Sequence, residues 1–219
     1  MSLLSVRHCP KFASVVFATS AVSATDATTY TFSSQSFSVA SSDRKVVVSI
    51  CASGDLADPI ISTVTIGGVT AAVVVSLHGT PVSQDYLMAL WQAAVPTGAT
   101  GDVVVTFTGQ IGSCGIGIWA VYGAATAASD TDSSGSDPAT VSLDVPASGI
   151  AIGAHQAGDG TFTWTGLTEN FDEVVQVSGQ YHSGASAEFS AQQTGLSITS
   201  DQSVGDSTNT MVVASWGPA

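Results

Sequence analysis

The sequence predicts an all-β fold, a two-sheet antiparallel β-sandwich of jelly-roll type with an N-terminal arm. Two observations lead to this prediction. The apolar residues make up 44% of the chain and are mostly Val, Ile and Ala interleaved with Ser, Thr and Gly, which suits a strand better than a helix. More than ten short segments alternate in steps of two between Gly, Pro and Asp turns, a pattern typical of sandwiches.

Most of the predicted strands have one apolar face. Tyr30 and Phe32 lie on one side of the first segment, with Thr between them, as expected for a half-buried strand. Segment 86–95 is apolar on both faces, which is typical of a central strand. Gly67-Gly68 supplies the turn of a hairpin, because few other residues adopt the backbone that a two-residue turn requires. The predicted strands are 28–39, 44–52, 60–66, 69–76, 86–95, 103–107, 113–124, 140–145, 150–155, 161–164, 174–180, 185–191, 196–199 and 210–216.

Segment 113–124 differs from the others in its glycines. Ile116 and Ile118 share one face, and Gly115 and Gly117 lie opposite. Glycines inside a strand indicate close approach by another backbone or by a bulky side chain. We therefore expect something large to pack on this face.

We predict two regions, residues 1–24 as an N-terminal arm or first strand and residues 25–219 as a single β-sandwich domain. A signal peptide is the alternative for the arm, because basic residues precede an apolar stretch and 21–24 resembles a cleavage site. That stretch contains little Leu and is broken by Ser and Thr, which favours the arm. The polar segment 125–138 is interpreted as a surface loop, with a domain linker as the alternative. No fixed-period repeat is visible, which argues against a solenoid or a propeller.

The chain is strongly acidic, with a formal net charge of -13. Its four basic residues, Arg7, Lys11, Arg44 and Lys45, all lie before position 46. Binding to nucleic acid depends on Lys and Arg that neutralise phosphates, and anionic membranes attract the same residues. We therefore expect neither nucleic acid nor a membrane as a partner.

The cysteines and histidines have no spacing that indicates a metal site or a catalytic site. Cys9, Cys51 and Cys114 form an odd set without a C-x-x-C pair. A disulfide between Cys51 and Cys114 is one interpretation, and buried free thiols are the favoured one. The four histidines are predicted to be surface or strand-edge residues; they are His8, His78, His155 and His182.

Two acidic groups are candidates for chemistry. Glu169, Asp172, Glu173 and Glu188 are able to converge as hydrolytic carboxylates, although a solvated acidic edge is the favoured interpretation. The loop from Asp130 to Asp137 offers oxygen ligands of the kind that calcium takes. It lacks the closing Glu of a calcium-binding loop, so a solvated loop is again favoured.

Two further side chains suggest contact roles. Trp164 lies between Thr163 and Thr165 near two glycines, and it is the best tryptophan for an exposed sugar-stacking platform. A core or interface position is the favoured interpretation. Arg44 follows Asp43 and is predicted to form an ion pair at the start of a strand, which contributes little if exposed.

Several segments in order carry a resemblance to a known family. They read Tyr-Thr-Phe-Ser at 30–33, Asp-Arg-Lys-Val-Val-Val at 43–48, Ser-Thr-Val-Thr-Ile-Gly-Gly-Val at 62–69, Val-Pro-Thr-Gly at 95–98 and Val-Val-Val-Thr-Phe at 103–107. This series resembles the β-sandwich domain of tailed-phage virion proteins, which also occurs in some secreted bacterial surface proteins. The likeness extends from about Thr28 to the last predicted strand, and it implies a sandwich fold and a structural role in heads, tails or fibres.

The resemblance and the charge distribution together predict a virion structural protein, most concretely a head decoration or cement protein on the virion surface. It would form a homo-oligomer, for which a trimer is one form, and contact the major capsid protein or other virion proteins. Arg7, Lys11, Arg44 and Lys45 are the predicted contact residues, with the arm docking by strand addition. The alternative is a receptor- or carbohydrate-binding module of a phage tail or a secreted cell-surface protein, with Trp164 at its site. We expect no enzymatic activity, cofactor or metal.

Overall fold

The computed structural model describes residues 12–54, 59–79, 85–176, 179–204 and 209–219, and every regular element in these ranges is a β-strand. No helix in them is long and apolar enough to cross a membrane. The strands are β1 (Ser14–Ser23), β2 (Ala27–Ser36), β3 (Lys45–Gly54), β4 (Ile61–Ile66), β5 (Val69–Thr70), β6 (Ala72–Gly79), β7 (Asp85–Ala94), β8 (Thr100–Ile111), β9 (Ser113–Tyr122), β10 (Asp130–Ser134), β11 (Ala139–Val145), β12 (Gly149–Ala157), β13 (Phe162–Thr165), β14 (Thr168–Gln176), β15 (Gln180–Phe189), β16 (Gln193–Gln202) and β17 (Thr210–Trp216).

The strands form four antiparallel sheets. Sheet 1 has the order β2-β8-β4-β5, and sheet 2 has the order β1-β9-β3-β7-β6. Sheet 3 has the order β10-β17-β12-β15-β14, and sheet 4 has the order β11-β16-β13. Sheets 1 and 2 are built from the N-terminal half of the chain, and sheets 3 and 4 from the C-terminal half.

Three hydrophobic cores stack these sheets into four layers. The first core joins sheets 1 and 2, with Phe32 and Val105 facing Val48 and Ile116. The second joins sheets 2 and 3. The third joins sheets 3 and 4. The layers therefore follow the order of sheets 1, 2, 3 and 4, and the two inner sheets are covered on both faces.

This layering explains two kinds of strand sequence. β3, β12 and β17 are buried along their whole length, and they are apolar or small at nearly every position, as strands with two covered faces must be. β11 alternates strictly between buried and exposed residues, because its outer face meets solvent. The sequence pattern thus distinguishes inner layers from outer layers.

The two halves have the same strand order. Strands β1 to β4 can be matched in order with β10 to β13, and strands β6 to β9 with β14 to β17. With this matching, sheet 3 has the same strand order as sheet 2. Sheet 4 likewise repeats sheet 1 without β5. One pair of segments retains the likeness in sequence: Thr-Val-Thr-Ile-Gly-Gly-Val-Thr at 63–70 and Thr-Phe-Thr-Trp-Thr-Gly-Leu-Thr at 161–168.

The halves also meet in a reciprocal way. β1 packs on β14, and their counterparts β10 and β6 pack on each other. β3 contacts β12, which is its own counterpart. Such reciprocity defines an isologous contact, the kind that joins two subunits of a symmetric dimer. The chain is therefore built as a covalently linked pseudodimer.

The all-β, antiparallel prediction is confirmed, whereas its jelly-roll detail and the N-terminal arm stay predictions. The single domain over 25–219 likewise stays a prediction, and the described strands form four sheets where two were expected. Residues 14–23 form β1, the first strand. Segment 125–138, interpreted as a loop, contains the strand β10, and the strand expected at 174–180 is instead the end of β14 and the start of β15.

Two local predictions concern glycines, and both are confirmed. Gly67 and Gly68 have positive φ angles of 58° and 78° and form a two-residue turn between β4 and β5. The strand after this turn breaks at Ala71, so that β5 stays in sheet 1 and β6 joins sheet 2. In β9, a Cβ on Gly117 would overlap the ring of Phe171 from sheet 3, which is the bulky neighbour that the glycine pattern indicates.

Candidate functional site

A cleft of about 550 Å³ opens where the two halves meet, and we call it the junction cleft. Its walls come from the start of β3 with Lys45, from the β5–β6 segment with Val69 and Ala72, and from the connection between the halves with Ala124 and Thr126. Most of the wall is small or apolar. Its volume lies in the range of small-molecule sites.

Lys45 is the charged residue of most interest in the junction cleft. Its side chain is only 7% exposed, and its Nζ donates a hydrogen bond to the carbonyl oxygen of Ala125. The ammonium group lies 5.2 Å from the centre of the Trp216 ring, close enough for a cation–π contact. Burial lowers its pKa to about 8, because a desolvated ammonium ion is less stable than a neutral amine.

A polar bridge beside Lys45 joins the two halves. Gln92 of β7 donates through Nε2 to the carbonyl oxygen of Thr126 at 3.0 Å. The indole nitrogen of Trp216 donates to Gln92 Oε1 at 3.2 Å. These bonds hold the last strand of the C-terminal half against the N-terminal half, so the cleft has a fixed wall.

Arg44 is a structural residue, which corrects its assignment as a surface contact. Its side chain is 1% exposed. The guanidinium group donates to five backbone carbonyl oxygens, those of Phe37, Ser38, Val95, Thr97 and Gly98, at 2.6 to 3.1 Å. Arg44 therefore ties two loops together through backbone carbonyl acceptors. Lys45 is buried as well, and Arg7 and Lys11 lie outside the described residues.

The C-terminal half has a smaller counterpart of the junction cleft. This second cleft, of about 350 Å³, is lined by Phe12, Ser148, Glu188 and Phe189 among others. These residues precede β1 and β12 or lie at the end of β15, which are the positions equivalent to those around Lys45. The equivalent site therefore contains a carboxylate and no buried cation among its lining residues.

Trp164 contributes to the core between sheets 3 and 4. It is half-buried, and its indole nitrogen donates to Ser183 Oγ at 2.8 Å. A Cβ on Gly153 would lie 2.9 Å from the Trp164 ring, so the ring packs directly on β12. One face of the ring is therefore used in packing and is not available to a sugar.

Two histidines predicted to be surface residues are fully buried, so that prediction is wrong for them. His155 Nε2 donates to Asn209 Oδ1 at 3.0 Å, and its Nδ1 lies 2.8 Å from Ser200 Oγ. Burial lowers the pKa of His155 to about 4. The side chain therefore links sheet 3 to sheet 4 as a neutral imidazole.

His182 occupies the opposite face of sheet 3, between the two halves. Its Nε2 lies 3.1 Å from Ser49 Oγ of β3, and its ring packs edge-on against Phe171 at 4.9 Å. Burial, with a smaller electrostatic contribution from the nearby His155, lowers the pKa of His182 to about 3. His182 is thus a neutral polar contact inside the second core. His78 is exposed, and His8 lies outside the described residues.

The four candidate carboxylates do not form a shared catalytic centre. Glu188 Oε1 accepts the backbone N–H of Val15 at 3.0 Å, and Glu173 Oε1 accepts from Ser20 Oγ at 2.8 Å. Both bonds attach β1 to the C-terminal half. Asp172 accepts the backbone N–H of Phe162, and Glu169 lies on the same edge strand. Burial raises the pKa of Glu169 and of Asp172. Repulsion from Asp172 raises the pKa of Glu169 further, and repulsion from Glu173 raises that of Asp172.

The acidic segment proposed as a calcium loop is the strand β10. Asp130 Oδ2 accepts the backbone N–H of Asp144 at 2.8 Å, and Asp132 Oδ2 accepts that of Ser142 at 3.0 Å. Both carboxylates therefore join β10 of sheet 3 to β11 of sheet 4. Within the described ranges, no group of three or more His, Cys, Asp or Glu side chains is arranged to hold a metal ion.

Cys51 and Cys114 are buried free thiols, as the favoured interpretation predicted. They lie on adjacent strands, where Cys114 is the partner of Ala52, so their side chains point to opposite faces of sheet 2. Cys51 belongs to the core between the halves, and Cys114 to the core with sheet 1. Cys9 lies outside the described residues.

Sequence reasoning missed the junction cleft and the repeated strand order of the two halves. Lys45 was predicted as a contact residue because it is one of few cations, and no sequence signal indicates that β17 covers it. The repeated strand order has a signal in the Thr- and Gly-matched segments 63–70 and 161–168. A scan against protein-family models, a search of curated proteins and a search of solved structures each found no match.

Proposed function

We propose that this chain is a structural protein of a phage virion surface, most concretely a decoration or cement protein that acts by contact with neighbouring capsid subunits. The proposal rests on the sequence resemblance and on one structural observation, the character of the sheet edges. β1 and β6 are the two edges of sheet 2, and among the described strands each is hydrogen-bonded to one neighbour only. An open edge is a template for strand addition by another chain.

Four exposed apolar side chains lie on edge strands of sheets 2 and 3. Val16 and Val22 of β1 are 45% and 40% exposed, and Val73 of β6 is 52% exposed. Val174 of β14, an edge strand of sheet 3, is also exposed. Exposed apolar groups beside unpaired backbone favour contact with another protein.

The side chains that most often do chemistry have structural partners. His155, His182, Cys51 and Arg44 are buried and packed inside the molecule. The surface that remains is acidic and rich in Ser and Thr, which suits a protein that is displayed in many copies without adhering non-specifically. Under this proposal the basic arm, with Arg7 and Lys11, docks on a capsid subunit or a neighbouring copy.

Copy number on purified particles tests the proposal. Quantitative mass spectrometry against the major capsid protein is expected to find hundreds of copies per particle, as a shell component requires. A handful of copies would place the chain in the tail and favour receptor binding, and absence from particles would reject a virion role. Deleting residues 1–11 is expected to abolish attachment while the sandwich stays folded, and unchanged occupancy would reject the docking arm.

A further inference from the structure

The turn between β12 and β13 contains the one Asp-Gly pair of the sequence, Asp159-Gly160. Both residues lie outside the strands, and Asp159 is exposed. The backbone N–H of Gly160 donates to Asp159 Oδ1 at 2.7 Å. This hydrogen bond holds the carboxyl group beside the nitrogen of the next peptide bond, and a bond between that nitrogen and the carboxyl carbon Cγ closes a five-membered ring.

Gly160 favours closure of this ring because it has no side chain to crowd the attacking nitrogen. The turn also requires a glycine for its own reasons. Its φ angle is 94°, which other residues rarely adopt, and an added Cβ would lie 2.8 Å from Ser203 Oγ. The fold therefore places glycine at the position where glycine also makes the preceding carboxyl group most reactive.

Two other aspartates make the same local hydrogen bond and provide a comparison. Asp130 Oδ1 accepts the N–H of Thr131 at 2.9 Å. Asp132 Oδ1 accepts the N–H of Ser133 at 2.8 Å. In both, the second carboxylate oxygen accepts an N–H of β11, and the backbone is paired with β17. Of the three aspartates, only Asp159 combines this bond with a following glycine and a position outside the sheets.

We propose that Asp159 is a site of spontaneous modification, at which the chain isomerises to isoaspartate through a succinimide. The nitrogen of Gly160 attacks Cγ of the protonated carboxyl group. The N–Cγ bond forms as the Cγ–OH bond breaks, and the amide hydrogen and the hydroxyl group leave as water. A solvent water molecule then adds to one ring carbonyl and breaks its bond to nitrogen. Addition at the backbone carbonyl of Asp159 gives isoaspartate, in which the chain runs through Cγ, and addition at Cγ restores aspartate.

Isomerisation is expected to loosen β13 from the end of β16, because isoaspartate adds one carbon to the backbone of the turn. Ser203 Oγ accepts the N–H of Thr161 at 3.0 Å, and the N–H of Ser203 donates to the carbonyl oxygen of Thr161 at 2.8 Å. Gly160 packs against the same serine, so a longer turn displaces both bonds. The proposal does not depend on a role in a virion, so either can fail without the other.

Ageing of the folded protein in neutral H₂¹⁸O tests the proposal, because each opening of the succinimide adds one ¹⁸O atom to the residue. Peptide mass spectrometry with electron-transfer fragmentation locates the label and distinguishes isoaspartate from aspartate. We expect both to accumulate at Asp159 and neither at Asp130 or Asp132, and hydrogen exchange at the Thr161 amide to become faster with age. A folded protein that stays unlabelled at Asp159, while a urea-unfolded sample becomes labelled there, would overturn the proposal.

Two variants make the test specific. Asp159→Glu requires a six-membered ring, which closes far more slowly, so it is expected to abolish the label in this turn while the melting temperature stays unchanged. Ser133→Gly gives Asp132 a following glycine inside β10, and Asp132 is expected to stay unlabelled because its backbone and both carboxylate oxygens are held. Label that persists in this turn in Asp159→Glu, or labelling of Asp132 in folded Ser133→Gly as fast as that of Asp159, would contradict the proposal.

Discussion

The two halves of the molecule share a strand order but hold their first strands in different ways. β1 is fixed by apolar packing, with Val15 and Phe17 in the core between the halves and Phe17 stacked on Phe171 at 5.3 Å. Its counterpart β10 has the sequence Asp-Thr-Asp-Ser-Ser, and its Asp130 and Asp132 carboxylates accept backbone N–H groups of β11. Carboxylates also attach β1, through the bonds to Glu188 and Glu173, but β10 has no large apolar side chain to pack.

The halves also differ in charge. Residues 125–219 contain eleven of the seventeen acidic residues and none of the basic ones. On one side of the molecule the apolar edge strand β1 packs on the acidic edge strand β14. On the other side the apolar edge strand β6 packs on the acidic edge strand β10. The two halves therefore have the same strand order but differ in the charge of their edge strands and in the residues that line their clefts.

The largest expected effect comes from disturbing the contact between the halves. Gly117→Val places a branched side chain where Phe171 packs on β9, and overpacking of this kind costs about 3 kcal/mol. We expect the free energy of unfolding, measured in urea, to fall by about this amount.

Gly135→Ala is the matched control for that variant. An added Cβ there lies 3.4 Å from its nearest neighbour, so the stability is expected to change little. Equal effects of the two substitutions would show that Phe171 does not pack on β9.

Acid pH is expected to weaken both cores of the C-terminal half. His155 and His182 have folded-state pKa values of about 4 and about 3, below the unfolded value near 6.5. Their stabilising contribution is therefore complete above pH 6.5 and is lost as the pH falls toward the folded values. Between pH 6.5 and pH 5 each histidine should cost about 2 kcal/mol.

Thermal melts across this range measure the effect of acid. As the pH falls, the melting temperature of His182→Asn is expected to decrease less steeply than that of the unaltered protein. A melting temperature that stays constant from pH 7 to pH 5 would contradict the buried, neutral state of these residues.

The difference between the two clefts predicts a stabilising substitution. Lys45 has a lower pKa in the folded state than in the unfolded state, so its charged form destabilises the fold below pH 8. Lys45→Met is expected to raise the stability at pH 7 by about 1 kcal/mol, less than the full pKa shift implies because the amine borders a solvent-accessible cleft. The gain should shrink as the pH rises from 8 toward 10.5. Denaturant melts at pH 7 and pH 10 measure it, and a loss of stability at pH 7 would contradict this reasoning.

The smallest effect sharpens the contrast between β1 and β10. Asp132→Ala removes the acceptor of the Ser142 N–H, and it is expected to cost about 1 kcal/mol. Hydrogen exchange at the Ser142 amide should become faster. Thr131→Ala, next to it on the same strand, is the control and should leave that amide unchanged. Unaltered exchange in Asp132→Ala would mean that β10 is held in another way.

Side-chain periodicity predicts much of this fold but not its layering. Alternation identifies which residues of β2, β8 and β11 are buried, and Gly67-Gly68 identifies a turn. It does not reveal which surface covers a buried face, so β3 and β12 are recognisable as apolar strands without any indication that they face each other. β10 escaped prediction because Asp and Ser have low strand propensity, and β10 is held by pairing with β17 and by carboxylate bonds to β11.

The site residues were harder to predict because their roles depend on tertiary contacts. His155 and His182 lie among small and polar residues, and only the stacking of sheets 2, 3 and 4 buries them. Arg44 gives no sequence sign of the five carbonyl groups that surround its guanidinium group. A repeat of the kind found here is detectable in advance only where enough residues match, as they do at 63–70 and 161–168.

Alkylation of the two buried cysteines in the native protein tests most directly whether the halves pack through sheets 2 and 3. Cys51 lies on the face of sheet 2 that meets sheet 3, and Cys114 lies on the other face, inside the N-terminal sandwich. Burial also raises the pKa of both thiols. We predict that iodoacetamide labels the two residues at the same slow rate, set by unfolding of the whole molecule. Rapid labelling of Cys51 while Cys114 stays protected would contradict the four-layer arrangement.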